Sequence, residues 1–245
     1  MHSDFFQLLR RALFSLLCLS CSMTVLAQGQ EVLIRKNLQE RIPQFPKIDE
    51  VTKAAMPGLY EIRVDGTEIY YTDAEGNFLI QGQLIDTRSR RNLTEERIEK
   101  LTAIDFQSLP LKDAFTIVRG NGKRKLAVFE DPNCGYCKRF ERDLQKVDNI
   151  TVYLFLYPIL GQDSVDKSRN IWCAKDRAKA WQDAMLREQP AASANCDTSA
   201  LQRNVELGRK HKINGTPTLI STDGNRVPGA INTAQIEKLL ADASR

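Results

Sequence analysis

At 245 residues, 42% hydrophobic and 27% charged, the chain has the composition of an ordinary globular protein of one or two domains with enough apolar material for a real core. Its 35 basic and 31 acidic residues leave a formal charge of only +4. That mild, dispersed balance gives no footing for a nucleic-acid binder, which would need a clustered basic stripe.

The first segment reads as an address. Arg10 and Arg11 precede an apolar run from Ala12 to Leu26, and Val25-Leu26-Ala27 offers a small-residue cleavage site before Gln28. The pattern predicts a secretory signal peptide over 1–27, too short and too small-residue-tailed for a membrane anchor. A lipid-modified Cys21 is disfavoured, because Cys18 stands where a lipoprotein signal has an aliphatic residue. Cleavage leaves Cys134, Cys137, Cys173 and Cys196, an even set in an exported chain where disulfides persist. The short apolar region and the absence of glycan-stalk composition suit a bacterial periplasm.

A small domain is expected over 28–90. Val32, Ile34, Leu38 and Ile42 predict a short amphipathic helix ended by Pro43 and Pro46. Leu59 to Val64, Glu68 to Thr72 and Asn77 to Ile85 read as strands, with turns at Asp65-Gly66 and Glu75-Gly76. An antiparallel sheet of this size buries too little to stand alone and needs another domain or a second copy of itself. Over 91–112 a connector follows the basic Thr87-Arg88-Ser89-Arg90-Arg91 exit. Asn92 caps it, Glu95 reaches back in capping-box fashion, and Leu93, Arg97, Leu101 and Ile104 give a narrow apolar stripe.

Over 113–245 the pattern becomes α/β. Thr116 to Val118, Leu126 to Glu130 and Thr151 to Tyr157 are strand-like, and a helix opens at Cys134 between the last two. Lys167 to Leu186 reads as one long helix that carries both Trp172 and Trp181 in the core, and Ser199 to Lys212 as another. Thr218 to Ser221 returns as a strand, Asp223-Gly224 turns, and Thr233 to Leu240 closes with a helix. Strand, CxxC, helix, inserted helical block, hairpin and helix is the layout of a thioredoxin fold. The expected class is therefore α+β: an amino-terminal antiparallel-sheet dimerisation domain, a connector helix and a carboxy-terminal thioredoxin-fold domain with a helical insertion.

The chemistry centres on Cys134-Gly135-Tyr136-Cys137. Disulfide exchange needs a thiolate, and a free cysteine of pKa ~8.5 is only about 3% ionised at pH 7. At a helix start Cys134 would face unpaired N–H groups, with Lys138, Arg139 and Arg142 close by. About 3 kcal/mol of stabilisation, at ~1.4 kcal/mol per pKa unit, brings the thiolate into the majority. Cys134 is thus the expected attacking sulfur and Cys137, one turn in, the resolving one. A zinc ribbon would want a second CxxC, whereas Cys173 and Cys196 are 23 apart, and Lys138 excludes a covalent haem motif. His211 stands alone in a polar helix as a solvated or capping residue. No metal or cofactor is expected. Cys173 and Cys196 suit a bridge pinning the inserted helices, worth ~3 kcal/mol by loop entropy; a second redox pair is the alternative.

Together CGYC, Ile171-Trp172-Cys173-Ala174-Lys175-Asp176, Asn214-Gly215-Thr216-Pro217-Thr218, and Tyr71-Thr72-Asp73 through Ile80-Gln81-Gly82 resemble the DsbC family of periplasmic disulfide isomerases. The resemblance runs from about Phe45 to the C-terminus. It implies a V-shaped homodimer with an apolar cleft, chaperone-like holding of misfolded disulfide-containing exported proteins, and upkeep by a membrane thiol reductase of the DsbD type. It also implies a stabilising Cys173–Cys196 bridge. The thioredoxin-like layout turns Thr216-Pro217 from an ordinary trans proline into an expected cis one beside the dithiol, with Gly135, Tyr136, Thr216 and Pro217 supporting the reaction.

A thioredoxin-type reductant carries a buried acid six residues before its first cysteine. Here that position is Val128, and Glu130 and Asp131 are expected at the strand mouth. Gly-Tyr lacks the proline of a reductase CGPC and the histidine of an oxidase CPHC, so the expected reaction is rearrangement of incorrect disulfides through a mixed disulfide at Cys134. The alternatives are a DsbG-like reductase of oxidised single cysteines, whose CPYC and missing second cysteine pair fit less well, and a dithiol oxidase, either dedicated to a secretion or conjugation system.

Overall fold

The computed structural model describes residues 29–244. The expected signal peptide with Cys18, Cys21 and the cleavage site lies outside the described residues. These residues form two compact units, one ending at Leu101 and the other beginning at Thr102. No helix among them is long and apolar enough to cross a membrane.

In the first unit, helix α1 covers 29–41. Ile34 and Leu38, one turn apart on its inner stripe, are buried with Ile48, Val51, Ile62 and Val64. The four-stranded antiparallel sheet runs β1 (Ile48–Lys53), β2 (Leu59–Val64), β3 (Glu68–Asp73), β4 (Leu79–Ile80), in that spatial order. Gly76, at φ +69°, lies against α1: a Cβ there would meet the Ile34 carbonyl oxygen at 3.3 Å in a backbone conformation L side chains rarely adopt.

Two expectations change here. β1 was not foreseen, and the strand expected from Asn77 to Ile85 shrinks to β4. The remainder turns into a small hairpin of β5 (Ile85–Asp86) with β6 (Arg91–Asn92). Helix α2 (Leu93–Thr102) starts on the Asn92 side chain, which accepts from the Glu95 N–H at 3.2 Å. The Glu95 carboxylate takes a bond from Gln83 (3.1 Å). The first half of α2 is fastened to the sheet: Thr94 and Tyr71 share a buried 2.5 Å hydroxyl bond, and Arg97 bridges Glu61 (2.9 Å) and Glu50 (2.7 Å).

The second unit is built on a five-stranded sheet in the order β11 (Arg226–Pro228), β10 (Thr218–Ser221), β8 (Arg124–Glu130), β9 (Ile150–Leu156), β7 (Phe115–Arg119). Only β8 and β9 are parallel, joined by helix α3 (Gly135–Leu144). Because side chains alternate along a strand, Leu126 and Val128 enter one core with Phe140, Leu144, Trp181 and Ile236, while Ala127 and Phe129 enter the other with Phe155, Tyr157 and Ile220. A central strand buried on both faces accounts for the unbroken apolar run that marks β8 in the sequence.

The long helix expected from Lys167 to Leu186 is two helices. α4 (Gln162–Trp172) ends at Cys173, and α5 (Arg177–Arg187) begins after Asp176, whose side chain caps the Lys179 N–H at 2.9 Å. Trp172 and Trp181 therefore sit on different helices. α6 (Ser199–Lys210) and α7 (Thr233–Asp242) complete the unit, with His211 at the C-terminal cap of α6.

Candidate active site

Cys134 is the N-cap of α3. Its extended backbone (φ −76°, ψ 115°) turns the chain from β8 into the helix, and its sulfur, in place of the usual Ser or Asp oxygen, accepts from the Cys137 N–H at 3.4 Å. Cys137 lies one turn in and is fully buried, whereas Cys134 keeps 6% of its surface open. Neither is bonded to another cysteine. Gly135 faces open space and Tyr136 is 67% exposed, so the mouth of the site is unobstructed.

Thr216-Pro217 is a cis peptide bond leading into β10. The Thr216 carbonyl oxygen lies 3.2 Å from the Cys134 sulfur, which donates to it as a thiol. Four of the expected residues thus converge at one end of the sheet: Cys134, Cys137, Thr216 and Pro217. Cys173 and Cys196 are joined to each other, with Cα atoms 5.5 Å apart, where the end of α4 meets the loop before α6. Trp172 reinforces that junction by donating to the Asp197 carbonyl at 3.0 Å.

The two thiols differ sharply in acidity. Cys134 is brought down from an ordinary 9.0 to about 5 by a bond from the Cys137 thiol, against the opposing effect of burial; the Thr216 side chain and the backbone N–H groups of Cys137 and Tyr136 add to the stabilisation. Cys137 is pushed far up by burial, then by the thiol bond it gives to Cys134 and by the field of Glu130. The expected contribution of basic neighbours needs correction. Hydrogen-bond donors stabilise the thiolate, while the Lys138 ammonium reaches Glu188 at 3.5 Å.

The two acids expected at the strand mouth are both fully buried. The Asp131 carboxylate accepts from the N–H groups of Ile159 (2.8 Å), Leu160 (3.0 Å) and Asn133 (2.8 Å) and from the Ser164 hydroxyl (2.7 Å). It therefore ties the CGYC entry to the loop that follows β9, on which Ile159 and Leu160 remain exposed. Glu130 points the other way, beneath Cys137. Val128 is itself core, but its place two residues before Glu130 puts both on the same face of β8. A third buried acid, Glu141, accepts from the Trp181 indole N–H at 2.8 Å. Sequence reading missed it, although Cys137, Phe140, Glu141 and Leu144 form one inward stripe of α3 and an acid in that stripe is a visible signal. Among the described residues no group of three or more His, Cys, Asp or Glu side chains could hold a metal ion.

Comparison with known proteins matches this geometry. Residues 25–95 fit the family model of the disulfide bond isomerase protein N-terminal domain, and residues 111–244 fit that of a thioredoxin-like domain. A Bordetella pertussis protein named a probable thiol:disulfide interchange protein DsbC is 45% identical over 205 residues, covering 83% of this chain and 73% of that one. The chain belongs to the DsbC family. The thiol:disulfide interchange protein DsbC of Escherichia coli is 28% identical over 88% of this chain and 89% of its own length. A crystal structure of a disulfide interchange protein from Neisseria gonorrhoeae superposes with a TM-score of 0.53 at 38% identity, covering 56% of this chain and 99% of that one. As a member of the DsbC family the protein is a thiol–disulfide oxidoreductase of the isomerase type, with the α+β architecture expected from its sequence.

Proposed function

We propose that this chain rearranges incorrect disulfides in exported proteins, with Cys134 as the nucleophile and Cys137 as the resolving thiol. The observation that carries the reading is the asymmetry of the pair: an acidic, partly open Cys134 beside a buried, far less acidic Cys137. The Cys134 thiolate attacks one sulfur of a substrate disulfide, the substrate S–S bond breaks, and the departing substrate sulfur leaves as a thiolate. That thiolate then attacks another disulfide of the same substrate until Cys134 is displaced. If rearrangement stalls, Cys137 attacks Cys134, and the substrate leaves reduced while the enzyme leaves as the disulfide. The cis Thr216-Pro217 sets the half-buried Thr216 backbone beside Cys134, where a substrate strand can align against it, and Gly135 and Tyr136 leave room for that strand.

The remaining parts of the proposal follow the family. Residues 28–90 serve as a dimerisation domain, with the edge strand β4 and exposed Phe78 and Ile80 offered to a second copy. Residues 91–112 link it to the catalytic domain over 113–245. The homodimer works in the periplasm after signal cleavage, holds misfolded disulfide-containing proteins, and is kept reduced by a DsbD-type membrane thiol reductase.

The test is reactivation of a scrambled multi-disulfide protein by the reduced enzyme. Activity should vanish in Cys134→Ala, and Cys137→Ala should accumulate covalent enzyme–substrate adducts. Retained reactivation in Cys134→Ala would sink the reading in favour of a binding protein. One observation supports a second reading, a dithiol oxidase: a thiolate as acidic as Cys134 stabilises the reduced enzyme and so raises its oxidising power. A dithiol found mostly oxidised in cells, with little reactivation of the scrambled protein, would favour it.

A further inference from the structure

Resolution of the mixed disulfide poses a proton problem that the CGYC residues cannot solve alone. Cys137 must lose a proton to attack, yet burial, the thiol bond to Cys134 and a nearby carboxyl all hold that proton on its sulfur. Its surroundings are closed to water. The acceptor must therefore be a group already buried with it.

The core under α3 contains such a group. Glu130 is 0% exposed and faces Cys137 from the end of β8, and neither of its oxygens is engaged in a formed hydrogen bond. Glu141 faces Glu130 from α3. One of its oxygens takes the Trp181 N–H and the other is buried and unengaged. Three unengaged carboxyl oxygens in a dry interior are costly unless they hold protons or take them up. Burial and mutual repulsion keep Glu130 protonated well above the ordinary carboxylate range, with the Cys134 charge pushing the same way and the nearby Cys137 thiol opposing. Burial also raises Glu141, while the Trp181 bond, Glu130 and the Arg119 charge favour its ionised form. Arg119, on β7, donates to the Leu144 carbonyl at 2.8 Å and keeps another buried nitrogen unengaged. Asp131 takes no part, because its oxygens are committed to the neighbouring loop.

We propose that Glu130, backed by Glu141, is the proton acceptor for Cys137 when that thiol resolves a mixed disulfide. The inference rests on the assignment of Cys137 as the resolving thiol. In the waiting state the pair shares one proton, carried by Glu130 and bonded towards Glu141. As the Cys137 sulfur bonds to the Cys134 sulfur, the Cys134–substrate bond breaks and its electron pair leaves with the substrate as a thiolate. The Cys137 proton passes to Glu130, which hands its own to Glu141. The dithiol is oxidised by two electrons and the substrate disulfide reduced by two, so no further oxidant is needed. In the reverse direction the doubly protonated pair returns a proton to Cys137. The acid that a thioredoxin-type reductant places six residues before its first cysteine is thus replaced by two acids reaching the same buried thiol from β8 and α3.

The test is stopped-flow reaction of the full reduced protein with a fluorogenic peptide disulfide, which separates attack by Cys134 from resolution by Cys137. Glu130→Gln should slow resolution about 100-fold near neutral pH, as loss of a positioned acid–base group does. The residual rate should then climb with pH as the thiol is left to ionise unaided. Glu141→Gln should slow the same step to a smaller extent. Resolution in Glu130→Gln at the wild-type rate with the wild-type pH profile overturns the proposal. The wild-type protein gives a second measurement independent of how the variants fold. Its resolution rate should level off at a pH well below that at which a buried thiol ionises. A rate climbing about tenfold per pH unit throughout would mean that hydroxide takes the proton, and would overturn the proposal too. Absence of the attack phase in wild type would instead refute the assignment of Cys134.

Discussion

The second unit holds two cysteine pairs whose chemistry is opposite, and their surroundings explain why. Cys173 and Cys196 join the end of a helix to a loop, with Trp172 and Arg177 packed over the junction, the Arg177 guanidinium 3.8 Å from the Trp172 ring. Cys173 caps the C-terminal end of α4, where the helix presents carbonyls and not N–H groups. Cys134 and Cys137 sit where a buried central strand becomes a helix, so free N–H groups point at one sulfur while the core encloses the other. A disulfide becomes exchangeable when one of its sulfurs is a good leaving group and stays in reach of a partner. The CGYC pair combines these properties, and the Cys173–Cys196 pair is built into a packed joint.

Removing each pair in turn tests that contrast most strongly. Cys134→Ser should cost at least about 1,000-fold in reactivation of scrambled protein, as loss of a nucleophile does, with little change in melting temperature. The double variant Cys173→Ser, Cys196→Ser should do the reverse. A closed loop of this length contributes ~3 kcal/mol, which in a unit of this size lowers the melting temperature by roughly 10 °C. The same variant should leave the rate of Cys134 alkylation intact. Loss of Cys134 reactivity in it, with the protein still folded, would mean that the two pairs communicate and the division of labour is wrong.

The same contrast shows what a sequence can disclose. β8 and β9 are legible because strands buried on both faces are continuous apolar runs, and the CGYC helix because it follows one directly. β1 is obscured, since IDEVTK carries its two buried residues, Ile48 and Val51, across a register irregularity that breaks alternation. The segment 77–85 misleads in the opposite sense, because Phe78, Ile80 and Ile85 are apolar yet exposed. The break between α4 and α5 is hidden by residues that suit a helix well, and only Asp176 acting as a cap marks it. At the site, the thiols, Thr216 and Pro217 are spelled out by their motifs. Glu130 is not, because an acid at the end of a strand is ordinarily exposed and its burial depends on α3 folding back over it.

Titration sharpens the comparison within the dithiol itself. Ultraviolet absorbance of the reduced protein should show one thiolate appearing with a midpoint near 5, removed by Cys134→Ala. Cys137 should contribute no second step below strongly alkaline pH, since burial holds its proton. Cys134 is depressed in the fold relative to ~8.5 in an unfolded chain, so its contribution to stability is complete above that value and is lost as pH falls through about 5. Glu130 and Glu141 slope the other way, because their raised values favour the fold at low pH, and burial, the largest cause for both, acts whichever redox form the dithiol takes. The melting temperature of the reduced form minus that of the disulfide form should therefore rise between pH 5 and about 8.5. A flat difference would mean that the thiolate is not stabilised by the fold.

The smallest expected effect separates hydrogen bonds from distant charge. Thr216→Ala and Lys138→Ala each remove one neighbour of Cys134, and a purely coulombic picture of the helix start would rank the ammonium first. Lys138 is paired with Glu188 and lies partly in solvent, where its field on the sulfur is screened. Thr216, half-buried, acts through a side-chain hydrogen bond to the sulfur itself, and a direct donor to a charged group is worth more than a screened charge further off. Thr216→Ala should accordingly move the Cys134 midpoint upward, while Lys138→Ala should move it by no more than a few tenths of a unit, the scale of an exposed charge pair. A larger shift from Lys138→Ala than from Thr216→Ala would return the thiolate to the basic helix and remove the hydrogen-bond account of why Cys134 differs from Cys137.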